Sequence, residues 1–275
     1  MRNRIGVMTS LKEKESSFEE MRRYKLDVCQ LYSWEPHLWS EKLAEKVKAD
    51  AKSSGVHITA FWAGWTGPAV WNMVDGPGTL GLIPAAYRYH RIRELTKAGE
   101  FAQKIGVPAI ITHLGFIPEN PLDPLFREVV IAVRTVALEL EKRQVGFWFE
   151  TGQETPLTLL RLIKEVGTPN LGINLDPANL ILYGKGNPLD ALDVFGKYVR
   201  NIHAKDALCP TDPSQIGQEV KVGQGRVRFP EFIRKLKEIK FKGEFIIERE
   251  VSGEQQARDI LETVKYLHKH LAAAK

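Results

Sequence analysis

The sequence predicts an α/β protein that folds as one closed barrel, (β/α)8, over residues 1–275. The chain length of 275 residues is close to the typical size of such barrels, about 250 residues. Short β-type runs alternate along the chain with longer amphipathic runs, which is typical of parallel strands joined by helices. Neither a linker nor a change in composition divides the chain, so we expect a single domain.

Eight segments have the length and composition of barrel strands. Each is a short run rich in β-branched, aromatic or other apolar residues, bounded by turn or polar residues. The predicted strands are Ile5–Thr9, Leu26–Tyr32, His57–Ala63, Ala109–Leu114, Gly146–Thr151, Leu171–Asp176, Val199–Lys205 and Glu244–Glu250.

A helical segment follows each predicted strand, because the apolar residues there recur with helical spacing. The predicted helices lie near Phe18–Arg23, Leu38–Ser53, Ala85–Ile105, Leu125–Arg143, Leu157–Val166, Leu189–Phe195, Glu231–Ile239 and Glu254–Leu271. A proline in the first turn of a helix costs little, since the N–H that it lacks has no helical partner there. The prolines expected in that position are Pro36, Pro84, Pro156, Pro188 and Pro230. Ser252 is placed to cap the last helix.

Two connections are much longer than the others. Gly64–Pro84 follows the third predicted strand, and Asp206–Phe229 follows the seventh. Long connections in a compact domain are usually lids or binding loops, and connections after barrel strands lie on the face that carries active sites. Within the second connection, Gly223-Gln224-Gly225-Arg226 favours a tight turn over a phosphate-binding loop.

Composition and charge narrow the functional classes. Hydrophobic residues make up 43% and charged residues 27% of the chain, which excludes a disordered or low-complexity protein. The net charge is +5, but the basic residues are spread over the helical segments, so we expect no nucleic-acid partner. Two cysteines and the lack of a long apolar run or leader predict a cytoplasmic protein without a membrane partner.

Polar side chains converge in the last four predicted strands. Side chains alternate between the two faces of a strand, and the outer face of a barrel strand packs on helices. The apolar residues of these strands therefore face outward. Glu150, Asp176, His203 and Glu248 face inward, each near the carboxyl end of its strand. Pro177 biases Asp176 towards an extended backbone, which fixes the direction of its side chain.

This quartet predicts a metal site. Three converging carboxylates are strongly unfavourable without compensation, and a divalent cation provides it. Oxygen ligands with one imidazole suit Mn²⁺, Zn²⁺, Mg²⁺ or Co²⁺. Each residue taken alone is also compatible with a hydrated strand end, so the prediction depends on all four together.

Further side chains belong to the same end of the predicted barrel. His113 ends the fourth strand, and it either contacts a substrate hydroxyl or a second metal, or is a hydrogen-bonded strand-end histidine. Lys205 lies two residues after His203 and either binds a substrate oxygen or anion, or pairs with a loop carboxylate. Trp62 and Trp65 suit the C–H faces of sugars, or simple packing.

Several motifs carry a resemblance to a known family. They are Phe149-Glu150-Thr151, Asn174-Leu175-Asp176-Pro177-Ala178-Asn179, Asn201-Ile202-His203-Ala204-Lys205-Asp206, Val222-Gly223-Gln224-Gly225 and Ile246-Ile247-Glu248. With these motifs the chain resembles the xylose-isomerase-like TIM barrels. That superfamily includes ketose 3-epimerases, inositol-catabolism enzymes, hydroxypyruvate isomerases and apurinic nucleases of the endonuclease IV type.

The resemblance implies that the quartet binds one divalent metal ion, with Glu150 and Glu248 acting as acid and base. His113 matches a further zinc ligand of the nucleases. Asn179 stands where the relatives usually have histidine, and Glu219 stands where the epimerases tend to place arginine. These differences disfavour additional metal ions. We expect six side chains to contact the substrate, namely those of His113, Lys205, Trp62, Trp65, Asn179 and Glu219.

We therefore expect a metal-dependent isomerase or epimerase of a sugar or sugar phosphate. One glutamate removes the proton next to a carbonyl, the metal stabilises the ene-diolate, and the other glutamate returns a proton. The alternative is an endonuclease-IV-like phosphodiesterase acting on abasic DNA, and a third class is a non-catalytic sugar-binding barrel. The family resemblance also suggests a homodimer or homotetramer. The sequence leaves open which sugar is used and whether the product is an epimer or an isomer.

Overall fold

The computed structural model describes residues 4–273, and in it eight parallel strands form a closed barrel, as predicted. Around the barrel the strands follow the order β1-β10-β7-β6-β5-β4-β3-β2. The barrel strands are β1 (Ile5–Ser10), β2 (Val28–Ser33), β3 (His57–Ala63), β4 (Ala109–His113), β5 (Gly146–Glu150), β6 (Leu171–Leu175), β7 (Val199–Ala204) and β10 (Phe245–Ile247). A separate antiparallel hairpin consists of β8 (Asp206–Leu208) and β9 (Gln218–Val220).

Helices surround the barrel. They are α1 (Met21–Tyr24), α2 (Glu41–Ser54), α3 (Gly76–Thr79), α4 (Ala85–Ile105), α5 (Pro124–Glu141), α6 (Pro156–Val166), α7 (Pro177–Leu182), α8 (Pro188–Phe195), α9 (Phe229–Glu238) and α10 (Gly253–Ala273). Pro156, Pro188 and Pro230 occupy the first turns of their helices, as expected. Pro84 instead immediately precedes α4, and Pro36 opens a short 3-10 turn. Within residues 4–273 no helix has the length and apolarity needed to cross a bilayer.

Two elements near the carboxyl end of the barrel were not predicted. The chain after β6 forms the one-and-a-half-turn helix α7, and the connection 206–229 contains the hairpin β8–β9. Elements of three to six residues are too short to show a hydrophobic period. The connection 64–84, by contrast, has only the four-residue α3 as a regular element.

The barrel strands separate an apolar outer layer from an interior that contains both apolar and polar side chains. Phe147 and Phe149 of β5 are completely buried in the outer layer, with their rings 4.9 Å apart in an edge-to-face arrangement. Inside the barrel, Gln30 donates its amide N–H to Asn174 Oδ1 at 3.1 Å. Such interior polar groups are stable only when they are hydrogen-bonded, so this layer gives the residues above it a fixed support.

Asp206 organises the connection that contains the hairpin. Its carboxylate accepts hydrogen bonds of 2.9–3.0 Å from the backbone amides of Ala207, Gly223, Gly225 and Val227. A Cβ atom on Gly225 would lie 2.2 Å from Asp206 Oδ1, so only glycine fits there. Gly223-Gln224-Gly225-Arg226 therefore forms the tight turn that the sequence favoured, and its amides bind a carboxylate of the chain itself.

We expect Asp206→Asn to destabilise the protein, because one amide N–H would then face backbone N–H donors. Hydrogen bonds to a charged acceptor contribute about 1.5–3 kcal/mol each, so the free energy of unfolding should fall by about 2–4 kcal/mol. Urea unfolding measures this loss. Asp212→Asn is the control, since Asp212 is exposed and, among the described residues, its carboxylate accepts only from Ser214; equal losses in the two variants would contradict the interpretation.

Candidate metal centre

Four side chains meet at the carboxyl end of the barrel. Glu150 ends β5, His203 lies in β7, and Asp176 and Glu248 stand one residue beyond β6 and β10. One potential ligand atom from each lies within 4.8 Å of the others. The structure therefore brings together the same four residues that strand alternation selected, and it buries all of them except Glu248, which is partly exposed.

The two carboxylate oxygens of Asp176 have different surroundings: one accepts backbone hydrogen bonds and the other faces the site. Its backbone is extended, with φ −93° and ψ 104°, as the following proline predicts. Oδ1 accepts hydrogen bonds from the amides of Ala178 at 2.8 Å and Asn179 at 3.0 Å, and so caps helix α7. Oδ2 faces the centre of the quartet.

His203 is oriented by the polar interior of the barrel. Its Nε2 lies 2.7 Å from Gln30 Oε1, which can only accept, so Nε2 carries a hydrogen. Nδ1 then faces the carboxylates, 3.0 Å from Glu248 Oε2 and 3.2 Å from Glu150 Oε1. A histidine whose second nitrogen is held by a hydrogen bond is the usual arrangement of a metal ligand.

Glu150 is held by groups on both of its oxygens. The indole Nε1 of Trp62 donates a hydrogen bond to Oε2, and the amide of Asn179 donates to Oε1 at 3.3 Å. His113 Nε2 lies 3.4 Å from Oε1. Burial alone raises the pKa of this carboxyl, but His113 and His203 outweigh burial and hold it well below its usual value. Glu150 is therefore a carboxylate.

The quartet fits a divalent cation. Asp176 Oδ2, Glu248 Oε2 and His203 Nδ1 are buried, and within residues 4–273 none of them has a hydrogen-bond partner. Buried polar atoms are rarely left without a partner, and converging carboxylates need a compensating positive charge. Three carboxylates and one imidazole form a hard donor set suited to Mg²⁺, Mn²⁺, Co²⁺ or Zn²⁺.

Lys205 joins the quartet to the opening of the barrel. Its buried Nζ lies 2.8 Å from Glu250 Oε1, 3.6 Å from Glu248 Oε2 and 3.8 Å from Asp176 Oδ2. Burial alone would lower the pKa of Lys205, but these carboxylates raise it well above its usual value, so the amine is charged. The sequence left two interpretations of Lys205, binding of a substrate oxygen or anion and pairing with a loop carboxylate. The structure contains the pairing with a loop carboxylate.

A cavity of about 940 Å³ opens above the quartet. The part of the lining that includes Glu150, here called the floor, also contains Trp62, His113 and Asn179, and Lys205 and Glu248 line the cavity as well. Trp34 and Trp71 form a second aromatic layer on the Trp62 side. The cavity lining thus combines aromatic rings with charged groups.

Two of the predicted contact residues lie behind this lining. Trp65 is buried against Trp34, with ring centres 5.3 Å apart, and its ring lies 5.0 Å from the guanidinium of Arg91. Glu219 pairs with Arg249 at 2.8 Å and accepts a hydrogen bond from the backbone amide of Glu250. Their contact with a substrate stays a prediction.

Gln30 and Glu250 take part in the site although sequence reasoning did not select them. The alternation that turns Glu150 inward also turns Gln30 inward from β2, so the signal was present. An uncharged amide gave no reason to connect it with the quartet. Glu250 has the same alternation as Glu248 in the predicted strand Glu244–Glu250, so a signal was present there too, although β10 ends at Ile247.

Glu154 is a second unusual carboxyl near the site. It is almost completely buried after β5, and its Oε2 lacks a hydrogen-bond partner within the described range. Burial raises the pKa of Glu154 to about 8, against the opposing effect of His113. Glu154 is therefore protonated at neutral pH in the metal-free protein.

Comparison with known proteins gives a consistent family. The family model described as xylose isomerase-like TIM barrel matches residues 18–270. A xylose isomerase domain protein from Planctomyces limnophilus is 33% identical in sequence, with a TM-score of 0.90 over 98% of this chain and 96% of that chain.

More distant structures share the fold. A D-tagatose 3-epimerase-like protein is 21% identical, with a TM-score of 0.77 over 98% of each chain. A xylose isomerase-like TIM barrel protein from Mycobacterium smegmatis, solved in complex with magnesium, is 17% identical, with a TM-score of 0.70 over 94% of this chain and 88% of that chain.

We expect Gln30→Met to weaken Mn²⁺ binding about 10- to 100-fold, because loss of the group that orients a ligand histidine has effects of that size. Gln30→Glu is the matched variant, since it keeps an acceptor for His203 Nε2 and should retain the affinity. Asn174 Nδ2 has no partner in the described part of the chain and can rotate to donate to the new carboxylate. Calorimetric titration measures the Mn²⁺ affinity of both variants. Equal losses of affinity would contradict the interpretation that Gln30 orients His203.

We expect Glu154→Gln to stabilise the metal-free protein increasingly as the pH rises. Between the usual glutamate pKa and about 8, the folded state holds a proton that the unfolded chain has lost, so stability falls as the pH increases. Glutamine removes this dependence. The difference in unfolding free energy should be near zero at pH 4.5 and reach a few kcal/mol by pH 8, at about 1.4 kcal/mol per pKa unit at most. Urea unfolding in EDTA at several pH values measures this difference. A difference that does not change with pH would contradict the prediction.

Proposed function

The chain belongs to the xylose isomerase-like TIM barrel family, and from this membership we propose that it is a sugar isomerase or epimerase that depends on a divalent metal ion. The observation that carries the proposal is the set of three buried ligand atoms on Asp176, His203 and Glu248 that have no hydrogen-bond partner within the described residues. Two members of the quartet, Glu150 and Glu248, line a cavity large enough for a sugar.

The metal ion would be held by Glu150, Asp176, His203 and Glu248. When bound, it supplies Lewis-acid polarisation of a carbonyl and a neighbouring hydroxyl oxygen, which makes the hydrogen on the adjacent carbon easier to remove. The remaining requirements of the reaction fall on side chains of this chain.

Glu248 is suited to remove that proton. Its side chain is 18% exposed, against 2% for Glu150, so it is the more accessible carboxylate of the two. Burial raises its pKa, but Lys205 and His203 outweigh burial and lower the pKa to about 2. Glu248 is therefore a carboxylate at neutral pH, the form that a general base requires.

Glu150 stands across the quartet on β5 and is the group that returns a proton or shares in its removal. Its carboxylate reaches the cavity floor while Trp62 and Asn179 fix its orientation. Return of the proton from the opposite face gives an epimer, and return to the neighbouring carbon gives an aldose–ketose isomer.

Other residues position the substrate and protect it from water. His113 and Asn179 line the floor, and their polar side chains suit substrate hydroxyls. The charged amine of Lys205 stabilises negative charge that develops on substrate oxygens. Trp34 and Trp71 cover one side of the cavity and would limit the access of water during proton transfer.

The phosphodiesterase alternative is not favoured. Such chemistry uses several metal ions to clamp the attacking and leaving oxygens. Among residues 4–273, only the one quartet groups three or more possible metal ligands. Asn179, at the position where histidine is usual in the relatives, donates its amide to Glu150 instead.

We expect the protein loaded with Mn²⁺ or Mg²⁺ to exchange deuterium from D2O into the carbon next to the carbonyl of at least one sugar in a panel of ketoses and aldoses. The exchange, followed by NMR, should vanish in EDTA and return when metal is added back.

Glu248→Gln should slow that exchange about 10²- to 10⁴-fold, the usual effect of losing a general base. Glu238→Gln, which changes an exposed carboxylate on α9, should have no effect. Absence of exchange with every sugar tested, in protein shown to bind the metal, would overturn the proposed function.

A further inference from the structure

We propose that the substrate is an uncharged sugar that carries a second ring, such as a glycosyl group, and that Trp34 and Trp71 bind this second ring. This inference rests on the proposed function, since it describes the substrate of the same site. Three independent features support it: the size of the cavity, the arrangement of the indoles and the balance of charge.

The cavity is larger than one monosaccharide requires. A hexose has twelve heavy atoms, and even at the ~30 Å³ that a water molecule occupies in the liquid, these fill at most about 360 Å³. The cavity volume of about 940 Å³ is more than twice as large. It lies near the upper end of the range of small-molecule sites, about 300–1,000 Å³. A monosaccharide bound at the quartet would leave most of this volume unused.

The indoles form two layers above the quartet. Trp62 donates to Glu150 and so belongs to the floor. Trp34 lies against Trp62, with ring centres 4.9 Å apart, and Trp71 lies 6.2 Å from Trp34. Trp34 and Trp71 therefore stand one ring farther from the quartet, where a substituent on the reacting sugar would lie. Aromatic faces pack well against the C–H faces of a sugar ring.

The chain is built to hold Trp34 in this place. A Cβ atom on Gly64 would lie 2.3 Å from the Trp34 ring, so only glycine leaves room for the indole after β3. Trp71 is held from the other side by His113, with ring centres 5.0 Å apart. Despite these contacts Trp34 keeps 37% of its surface exposed and lines the cavity, so its ring is accessible to a ligand there.

The charges around the cavity disfavour a phosphorylated substrate. The two cations among its lining residues are both paired: Lys205 with Glu250 at 2.8 Å, and Arg249 with Glu219 at 2.8 Å. Barrels often bind phosphate near the start of an extra helix after the last strands. Here Glu250 and Glu254 flank the start of α10 and pair with Lys205 and Arg23, so an anion would have to compete with these carboxylates for the cations.

The test compares ligands that share one ketose. Fructose is the unsubstituted probe, and fructose 6-phosphate adds a charged group. Isomaltulose, lactulose and turanose are disaccharides in which a neutral ring is attached to fructose at O6, O4 and O3. Calorimetric titration of the Mn²⁺-loaded protein gives each Kd. We expect at least one disaccharide to bind 10-fold or more tightly than fructose, and fructose 6-phosphate to bind no more tightly than fructose.

Trp34→Ala and Trp71→Ala test the location of the second ring. In each variant the ratio of disaccharide to fructose affinity should fall to about one, a readout that general loss of stability does not produce. Because the two residues lie on different connections, failure of one variant to fold leaves the other as a test. Tyr89→Ala, which removes an exposed aromatic ring from the outer face of α4, should keep the ratio.

The outcomes separate this inference from the proposed function. If fructose exchanges deuterium but no disaccharide binds more tightly than fructose, the second-ring inference is wrong and the proposed function stands. The inference is also wrong if fructose 6-phosphate binds most tightly, or if both tryptophan variants keep the disaccharide preference. If the metal-loaded protein neither binds nor exchanges any probe, both are wrong.

Discussion

Three carboxylates that meet within 4.8 Å in a buried place are the constraint around which the carboxyl end of this barrel is built. Such groups repel one another and lose their hydration, so they need both a compensating cation and partners that fix their orientation. For three members of the quartet, Asp176, Glu150 and His203, the fold supplies a hydrogen-bond partner for one side-chain atom. One oxygen of Asp176 caps α7, one oxygen of Glu150 accepts from Trp62, and Nε2 of His203 is held by Gln30. The other atom of each faces the common centre, which is preorganised before any ligand binds.

Alternating charges connect this centre with the opening of the cavity. Lys205 contacts Glu248 and Glu250, the backbone amide of Glu250 donates to Glu219, and Glu219 pairs with Arg249. This chain of contacts joins the hairpin β8–β9 to the segment after β10. Because each cation already has an acidic partner, the positive charge serves to hold the carboxylates and the two connections in place. An anionic ligand would have to displace one of these pairs.

The sequence predicted the barrel and the convergence of Glu150, Asp176, His203 and Glu248, because both follow from periodicity. A strand that packs on helices must turn every second residue inward, so ionisable residues near the ends of consecutive strands share one level. Gln30 was missed because its hydrogen bond to His203 joins β2 and β7, which are separated by two strands in the barrel. The hairpin, α7 and the contacts of Trp65 and Glu219 also escaped prediction. They depend on short elements and long connections, whose paths are set by packing and by the Asp206 turn.

The possible metal ligands and the tryptophans of the cavity lining come from different halves of the barrel. The possible metal ligands are carried by β5 and β7 and by the ends of β6 and β10, whereas Trp34, Trp62 and Trp71 follow or end β2 and β3. The link between the halves is the hydrogen bond from Trp62 to Glu150, together with His113, which lies close to both Glu150 and Trp71. Substitutions after β2 and β3 can therefore alter the aromatic lining of the cavity while the possible metal-binding atoms of the quartet stay in place. In barrels of this kind the loops can vary while the strands that carry the site stay the same. In this chain the two halves are connected through the contacts of Glu150.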